Sequence, residues 1–166
     1  MAELWDAYDR EGNKLGFDLV RDDPFPENVY HLVCDVVVRH TDGSFLLMRR
    51  ALDKKGWPGM FEVGAGGSAI KGETPIQGAL RELKEETGIA GEDLKQIYHF
   101  VKDEFHTIYY GYLCITDCSK DSITLQKGET IDYKWVSKEE FIAYMDSEEC
   151  IDVQKVSLKD FVDSLR

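Results

Sequence analysis

The chain contains no long hydrophobic run, and this absence removes one large class of proteins. None of its apolar stretches approaches the roughly 20 residues that a membrane-spanning helix needs. The N-terminus also lacks the basic start and apolar stretch of a secretion signal. We therefore expect a cytoplasmic protein with no membrane association.

Paired cysteines and basic clusters are also missing. The four cysteines lie scattered without a Cys-x-x-Cys pair, so the sequence predicts neither a disulfide framework nor a zinc site. Lys and Arg number 20 against 32 Asp and Glu, which gives a formal net charge of −12. This charge would repel a nucleic-acid backbone, so we expect no nucleic-acid partner. A small anion can still bind through metal ions.

The chain has the composition of an ordinary globular protein, with 43% hydrophobic and 31% charged residues in 166. This length fits one domain over residues 1–166. Strand-like segments at 4–9 and 15–20 flank a Gly-Asn turn, and the proline-containing segment 22–28 predicts a loop. Residues 1–28 are thus predicted to form an N-terminal hairpin and loop.

Further segments rich in aromatic and β-branched residues predict a sheet, with strands at 30–39, 44–49, 61–63, 94–102, 105–116 and 131–136. The glycine cluster after residue 63 is expected to be a loop. Ser137 and Glu140 have capping-box spacing ahead of one helix, and residues 157–165 predict a terminal helix.

A helix is predicted from Pro75 to Thr87, because Thr74 is a suitable N-cap and Gly88 a suitable C-terminal glycine. Its expected core stripe consists of Ile76, Ala79, Leu80 and Leu83.

Three carboxylates share one face of this helix. Glu82, Glu85 and Glu86 have i, i+3, i+4 spacing, at which like charges repel by about 0.2–0.5 kcal/mol per pair. They also lie in the last turns, where the helix dipole disfavours anions. Arg81 can reach Glu85 but cannot balance three acids. A hard divalent cation such as Mg²⁺ compensates naturally, since it prefers oxygen ligands and completes its shell with substrate phosphates.

The same residues complete a longer pattern. Gly67 is followed after five residues by Glu73, and after seven more by Arg81-Glu82-Leu83-Lys84-Glu85-Glu86-Thr87-Gly88-Ile89. This run resembles the signature of the Nudix hydrolases, the Nudix box, at every fixed position from residue 67 to 89. Chance agreement at nine such positions is expected on the order of once in 10⁹ windows.

The resemblance implies an α+β fold, an α/β/α sandwich in which helices flank a mixed sheet. It implies hydrolysis of the diphosphate linkage in a nucleoside diphosphate joined to a group X, with Mg²⁺ or Mn²⁺ as cofactor. By resemblance, Glu82, Glu85, Glu86 and the Gly66 carbonyl bind the metal, and Glu82 or Glu85 is the general base. Arg81 would belong to the catalytic group with Glu82 and Glu85, because it would orient Glu85 and Glu73. Glu73 and Gly67 would be structural supporting residues.

Three residues outside the Nudix box are further candidates for substrate binding. Glu129 lies in the loop before the strand at 131–136, where the family often has a later acidic ligand; a plain turn residue is the alternative. Arg49 and Arg50 end a strand, so either could contact phosphate or simply be an exposed charge.

Two other functions remain open within this family. Trp57-Pro58-Gly59 and the N-terminal hairpin resemble the branch of isopentenyl diphosphate isomerases, yet residues 63–67, Val-Gly-Ala-Gly-Gly, lack the cysteine those enzymes use. A non-catalytic nucleotide sensor is the other alternative, although such modules often lose signature glutamates. The partner is expected to be a small nucleotide-like diphosphate of undetermined identity. A homodimer formed through the hairpin is possible, and no sequence feature decides it.

Overall fold

The computed structural model describes residues 2–166. Its strands are β1 (Leu4–Tyr8), β2 (Lys14–Val20), β3 (His31–His40), β4 (Phe45–Arg50), β5 (Phe61–Val63), β6 (Ala65–Ser68), β7 (Lys95–Lys102), β8 (Thr107–Thr116) and β9 (Thr130–Val136). Its α-helices are α1 (Pro75–Thr87), α2 (Lys138–Asp146), α3 (Asp152–Ser157) and α4 (Lys159–Leu165). No helix within residues 2–166 is both long and apolar enough to cross a membrane.

The strands form two sheets. Strands β1 and β2 pair as a separate antiparallel hairpin, as predicted. The other seven form one mixed sheet, in which β3 runs parallel to β8 and antiparallel to β6. The order along this sheet is β5-β4-β3-β8-β7, and β9 pairs with β4. The predicted mixed sheet with an N-terminal hairpin is therefore confirmed.

Both faces of the large sheet are covered by helices, because successive side chains of a strand point to opposite faces. Val36 of β3 packs in a cluster with Ala79 of α1. The next residue, Val37, packs with Phe45 and Phe141 on the face that α2 and α4 cover. The rings of Phe45 and Phe141 stack with their centroids 4.2 Å apart. This arrangement confirms the α/β/α sandwich.

Helix α1 has the predicted ends and a different buried face. Thr74 caps its N-terminus in a capping box with Gln77, and Gly88 ends it with a φ of 81°. The predicted core stripe is wrong at Ile76, which is exposed. The buried residues of the helix are Gly78, Ala79, Leu83, Glu86 and Thr87.

Close contact with the sheet explains why the helix buries a different face from the one predicted. A Cβ at Gly78 would lie 3.2 Å from the Cys34 sulfur and 3.3 Å from the Ala69 Cβ, so a larger residue would require these neighbours to move by a few tenths of an ångström. With Gly78 against the sheet, the side of the helix that carries Glu86 also turns inward. An acid thus takes a buried position that the hydrophobic pattern could not reveal.

Two further segments differ from the predictions. The glycine-rich segment contains β6, in which Gly66 pairs with Asp35 and Gly67 with Cys34 of β3. The terminal helix predicted from residue 157 begins at Lys159 and follows the separate helix α3. Helix α3 is anchored by Gln154, whose side-chain oxygen accepts a hydrogen bond of 2.9 Å from the Val63 N–H at the outer edge of β5.

Candidate active site

A cleft of about 260 Å³ opens where β6, α1 and the loops after β4 and β8 meet. We call it the acidic cleft. It is lined by Glu3, Arg21, Arg50, Lys54, Glu62, Gly66, Gly67, Ser68, Arg81, Glu82, Glu85, Glu86, Gln126 and Glu129. The structure thus brings together most of the residues that the sequence singled out, from four separate parts of the chain.

Glu86 is the most deeply placed acid of helix α1, with 5% of its surface exposed. Its carboxylate accepts a long hydrogen bond of 3.4 Å from the Gly66 N–H. Burial raises the pKa of Glu86 well above its ordinary value, and the charges of Glu62 and Glu82 raise it further. Burial likewise raises the pKa of Glu82. In the metal-free protein it is therefore energetically unfavourable for Glu82 and Glu86 to be ionised at the same time.

Arg81 binds three of the acids at once. Its guanidinium donates to Glu73 at 2.7 and 3.0 Å, to Glu82 at 2.9 Å and to Glu85 at 3.2 Å. A further bond of 3.0 Å reaches the Ser68 carbonyl of β6. Burial alone would lower the pKa of Arg81, but Glu73 and Glu82 raise it above its ordinary value. The planar guanidinium of Arg81 can donate to several carboxylates in fixed directions, which the ammonium group of a lysine cannot do.

The glycines of β6 leave room for two carboxylates, one from helix α1 and one from the neighbouring strand β3. A Cβ at Gly67 would lie 2.6 Å from the carboxyl carbon of Glu82. A Cβ at Gly66 would lie 2.2 Å from Oδ1 of Asp35 on the neighbouring strand. A Cβ at either position would displace the neighbouring carboxylate, so both glycines leave room for acids against the strand backbone.

Arg50 and Arg49 end the same strand and have different surroundings. Arg50 lines the acidic cleft and donates 2.9 Å bonds to Glu62 and to the Gly56 carbonyl. Arg49 instead donates to the Gly59 carbonyl at 2.9 Å and lines a separate surface cavity. This separation follows from the alternation of side chains along β4. Of the two candidates, only Arg50 stands beside the carboxylates.

Glu62 is a residue that the sequence analysis missed. It lies between Phe61 and Val63 in β5, forms an ion pair with Arg50, and has a pKa raised by burial. The signal in the sequence was a lone acid inside a short apolar strand. A charge there is rarely buried without a partner or a function.

Glu129 lies at the rim of the acidic cleft and forms an ion pair with Lys54. Its carbonyl accepts a 3.0 Å bond from the Ala51 N–H, which fixes the loop against the end of β4. The carboxylate is 36% exposed and therefore accessible from the cleft. Lys54 was also missed, since an isolated lysine in a loop carries no signal.

A second cavity of about 200 Å³ branches from the acidic cleft and shares Arg50, Glu62, Gly66 and Gly67 with it. Its other lining residues are largely apolar: Val33, Trp57, Val63, Ala65, Tyr109, Ile151 and Val153, with Asp35, Gln154 and Ser157. We call it the apolar branch. The two cavities are adjoining parts of one groove.

Asp35 lines the apolar branch and was not singled out by the sequence. The Tyr98 hydroxyl donates a 2.7 Å hydrogen bond to its carboxylate. Burial raises the pKa of Asp35 to about 7, although this hydrogen bond acts in the opposite direction. The branch thus combines an apolar wall with a partly buried acid.

The donor chemistry of the acidic cleft fits a hard divalent cation. Glu82, Glu85, Glu86 and the backbone of Gly66 offer oxygen ligands only, which suits Mg²⁺ or Mn²⁺ rather than a thiophilic metal. Within residues 2–166, no three His, Cys, Asp or Glu side chains already converge as a closed metal shell. Arg81 holds two of the glutamates instead, so the ion would draw the carboxylates together on binding.

Comparison with known proteins decides the family. The model of the NUDIX domain matches residues 29–153. The chain belongs to the Nudix family. An uncharacterised Nudix hydrolase of Listeria monocytogenes is 36% identical over 154 residues, which cover 90% of this chain and 88% of the relative. The family and this relative support a hydrolase that acts on diphosphate bonds.

Two other similarities concern the fold and the branch of the family. The crystal structure of a Deinococcus radiodurans protein superposes with a TM-score of 0.73 at 19% identity, covering 99% of this chain and 98% of that one, and supports the fold. An isopentenyl-diphosphate Δ-isomerase of Corynebacterium diphtheriae is 40% identical over 67 residues, 40% of this chain and 37% of the isomerase. This partial match agrees with the predicted resemblance to the isomerase branch.

Proposed function

We propose that this Nudix protein is a Mg²⁺- or Mn²⁺-dependent enzyme that hydrolyses the diphosphate linkage of a nucleoside diphosphate joined to a group X. The observation that carries the proposal is the buried position of Glu86 beside Glu82. A protein gains no stability from burying a carboxylate next to other acids. Binding of a divalent ion with its phosphorylated ligand explains the arrangement.

Glu82, Glu85, Glu86 and the Gly66 carbonyl would hold the ion, which neutralises diphosphate oxygens when bound. Arg50 and Lys54 lie at the rim of the cleft, where they can bind outer phosphate oxygens. Arg81 positions Glu82 and Glu85 through its fork rather than touching the substrate.

In the proposed reaction a water molecule attacks one phosphorus in line with the bridging oxygen. A new P–O bond forms, the bond from that phosphorus to the bridging oxygen breaks, and the leaving phosphate keeps the electron pair. Glu82 or Glu85 accepts the proton of the water.

The apolar branch would hold the organic part of the substrate beyond the diphosphate. Trp57 and Tyr109 give it aromatic surface, and Gln154 and Asp35 add polar groups. Because the branch opens directly from the carboxylates, a substrate with its diphosphate at Glu86 can place this part there.

Isomerisation of isopentenyl diphosphate is the second candidate, favoured by the partial match to the isomerase. That reaction protonates a carbon–carbon double bond, and the isomerases that the sequence resembles use a cysteine in it. Among the described residues, those lining the acidic cleft and the apolar branch include no cysteine or histidine. Cys34 is buried behind β6, against Gly78 of α1. The geometry therefore favours hydrolysis.

Turnover assays of a panel of nucleoside diphosphate compounds with Mg²⁺ and with Mn²⁺ test the proposal, with both products identified. Reaction in ¹⁸O-labelled water locates the attacked phosphorus. Glu86→Gln should lower kcat by at least about 100-fold for an essential ligand, whereas the exposed control Glu148→Gln should retain it. Equal turnover by wild type and Glu86→Gln would contradict the proposal. Conversion of isopentenyl diphosphate to its dimethylallyl isomer would favour the isomerase, and binding without turnover would favour a sensor.

A further inference from the structure

Asp35 is a carboxylate in the interior of the large sheet. Strand β3 carries it between Cys34 and Val36, and β3 pairs with β4, β6 and β8. By the alternation of side chains, Asp35 lies on the same face as Val37, which packs under α2 and α4 further along the strand. An apolar side chain would suit this position better, because a carboxylate loses hydration there. The protein must therefore hold this acid by specific contacts.

Tyr98 reaches Asp35 from two strands away. Gly111 of β8 lies opposite Asp35 on one side and opposite Tyr98 of β7 on the other, next to a register shift in β7. A Cβ at Gly111 would lie 2.0 Å from Cε2 of the Tyr98 ring, so the glycine leaves room for the ring over the strand. The Tyr98 hydroxyl then donates its 2.7 Å bond to Oδ2 of Asp35. This bond fixes the orientation of the carboxylate.

The other oxygen, Oδ1, is turned toward β6 and has no protein partner. It lies beside Gly66, where a Cβ would be 2.2 Å away. No residue within 2–166 donates a hydrogen bond to it, and it keeps access to solvent, since the one sealed side-chain oxygen without a partner in this range belongs to Thr130. Asp35 itself is only partly buried and lines the apolar branch. Oδ1 can therefore accept a hydrogen bond from a ligand.

The other polar side chains that belong to the apolar branch alone are used differently. The Gln154 side-chain oxygen accepts the Val63 N–H bond, and the Ser157 hydroxyl donates a 3.3 Å bond to the Gln154 carbonyl. Most of the remaining wall is apolar. A few placed polar groups in an apolar pocket orient a ligand and provide specificity. Asp35 supplies the branch with a carboxylate acceptor that no protein group occupies.

Gly66 connects this acceptor to the proposed diphosphate site. It lines both the acidic cleft and the apolar branch, and its N–H donates to the Glu86 carboxylate. Because Asp35 is the register partner of Gly66, its Oδ1 lies where the two cavities join. A group that is a few bonds away from a diphosphate in the cleft can therefore reach Oδ1.

We propose that Oδ1 of Asp35 accepts a hydrogen bond from a hydroxyl or amino group on the organic part of the substrate, which makes Asp35 a specificity-determining residue and Tyr98 its positioning residue. This inference rests on the proposed function and narrows its substrate class. The preferred compounds carry a hydrogen-bond donor near the diphosphate. Diphosphates of plain hydrocarbons leave the acceptor unpaired and bind less tightly.

The test uses methylene-bridged analogues of diphosphate monoesters, whose P–C–P bridge is not hydrolysed. Three kinds of ester are compared: butyl, hydroxybutyl with the hydroxyl on successive carbons, and the matching aminobutyl esters. Calorimetry with the full chain in Mg²⁺ measures their affinities. A hydrogen bond to a carboxylate corresponds to roughly tenfold or more in affinity. Wild type should therefore bind the best donor-bearing ester at least about tenfold more tightly than the butyl ester, and the better of the hydroxyl and amino series identifies the donor.

Variants assign this preference to the proposed residues. Asp35→Leu, of similar shape, should abolish it, and Asp35→Asn, which keeps an acceptor oxygen, should recover part of it. Tyr98→Phe should weaken it severalfold, because the carboxylate loses the bond that orients it. The matched controls are Asp132→Leu, at an exposed aspartate of β9, and Tyr112→Phe, at a buried tyrosine of β8 outside both cavities. Both controls should keep the wild-type preference.

Three results would overturn the inference: a wild type that binds all the esters equally, an Asp35→Leu variant that keeps the preference, or an equal loss of affinity for every ester in Asp35→Leu. If Asp35→Leu does not fold, an unchanged preference in Tyr98→Phe has the same consequence. The proposed function is tested separately by the turnover of Glu86→Gln. An Asp35-dependent preference in a protein that hydrolyses nothing would remove the proposed function and leave the recognition by Asp35.

Discussion

Replacing Arg81 by methionine should destabilise the metal-free protein more than any surface ion-pair substitution. Arg81 is 21% exposed and donates to Glu73 and Glu82, which are 15% and 13% exposed. Removing one partner of a buried ion pair costs about 3–5 kcal/mol, because the other charge stays buried. The bond to Glu85 adds little, since that carboxylate is 44% exposed. We expect a loss of about 3 kcal/mol in the free energy of unfolding.

Urea unfolding at pH 7 without divalent ions measures this loss. The control is Arg166→Met, since Arg166 also pairs with two acids, Asp146 and Asp163, but on the exposed surface. That variant should lose less than about 1 kcal/mol. Lowering the pH to 5 should narrow the difference between Arg81→Met and wild type, because protonation removes the uncompensated charges. If Arg81→Met costs no more than Arg166→Met, the carboxylates do not depend on the guanidinium and this reasoning is refuted.

Two further predictions concern the cleft and the pH dependence of stability. Gly67→Ala should reduce turnover and metal affinity at least tenfold by displacing the Glu82 carboxylate, whereas Gly56→Ala, with room for a Cβ, should not. Burial lowers the pKa of His31 from 6.5 to about 4, so the unfolded chain takes up the proton first. At about 1.4 kcal/mol for each pKa unit, wild type should lose about 3 kcal/mol through this residue between pH 6.5 and 4. His31→Gln should lack that component in a pH series of urea unfolding; identical pH profiles would contradict it.

The sequence predicted most reliably what short-range chemistry controls. The ends of α1 followed from the capping preferences of Thr74, Pro75 and Gly88, which act within a few residues. The spacing of Glu82 and Glu86 likewise placed both on one helical face. The hairpin and the main strands followed from local patterns of β-branched and aromatic residues.

Long-range packing decided the features that could not be predicted. Strand β6 consists mostly of small residues with no preference for a sheet, and it forms because β3 offers an open edge. Ile76 was wrongly placed in the core because the closest approach to the sheet occurs at Gly78. Glu62 and Asp35 enter the groove only when β3, β4 and β5 are assembled, so no local pattern marks them as neighbours of the Nudix box.

Calorimetric titration of Mn²⁺ into wild type and Glu86→Gln is the most direct test of the central claim, that the acids of α1 are gathered for a divalent ion. The variant removes one ionisable carboxylate and keeps the shape of the side chain. We predict binding to wild type with an affinity at least tenfold higher than that of Glu86→Gln, while Glu148→Gln binds as wild type does. Equal affinity in all three proteins, or no binding to wild type, would contradict the account.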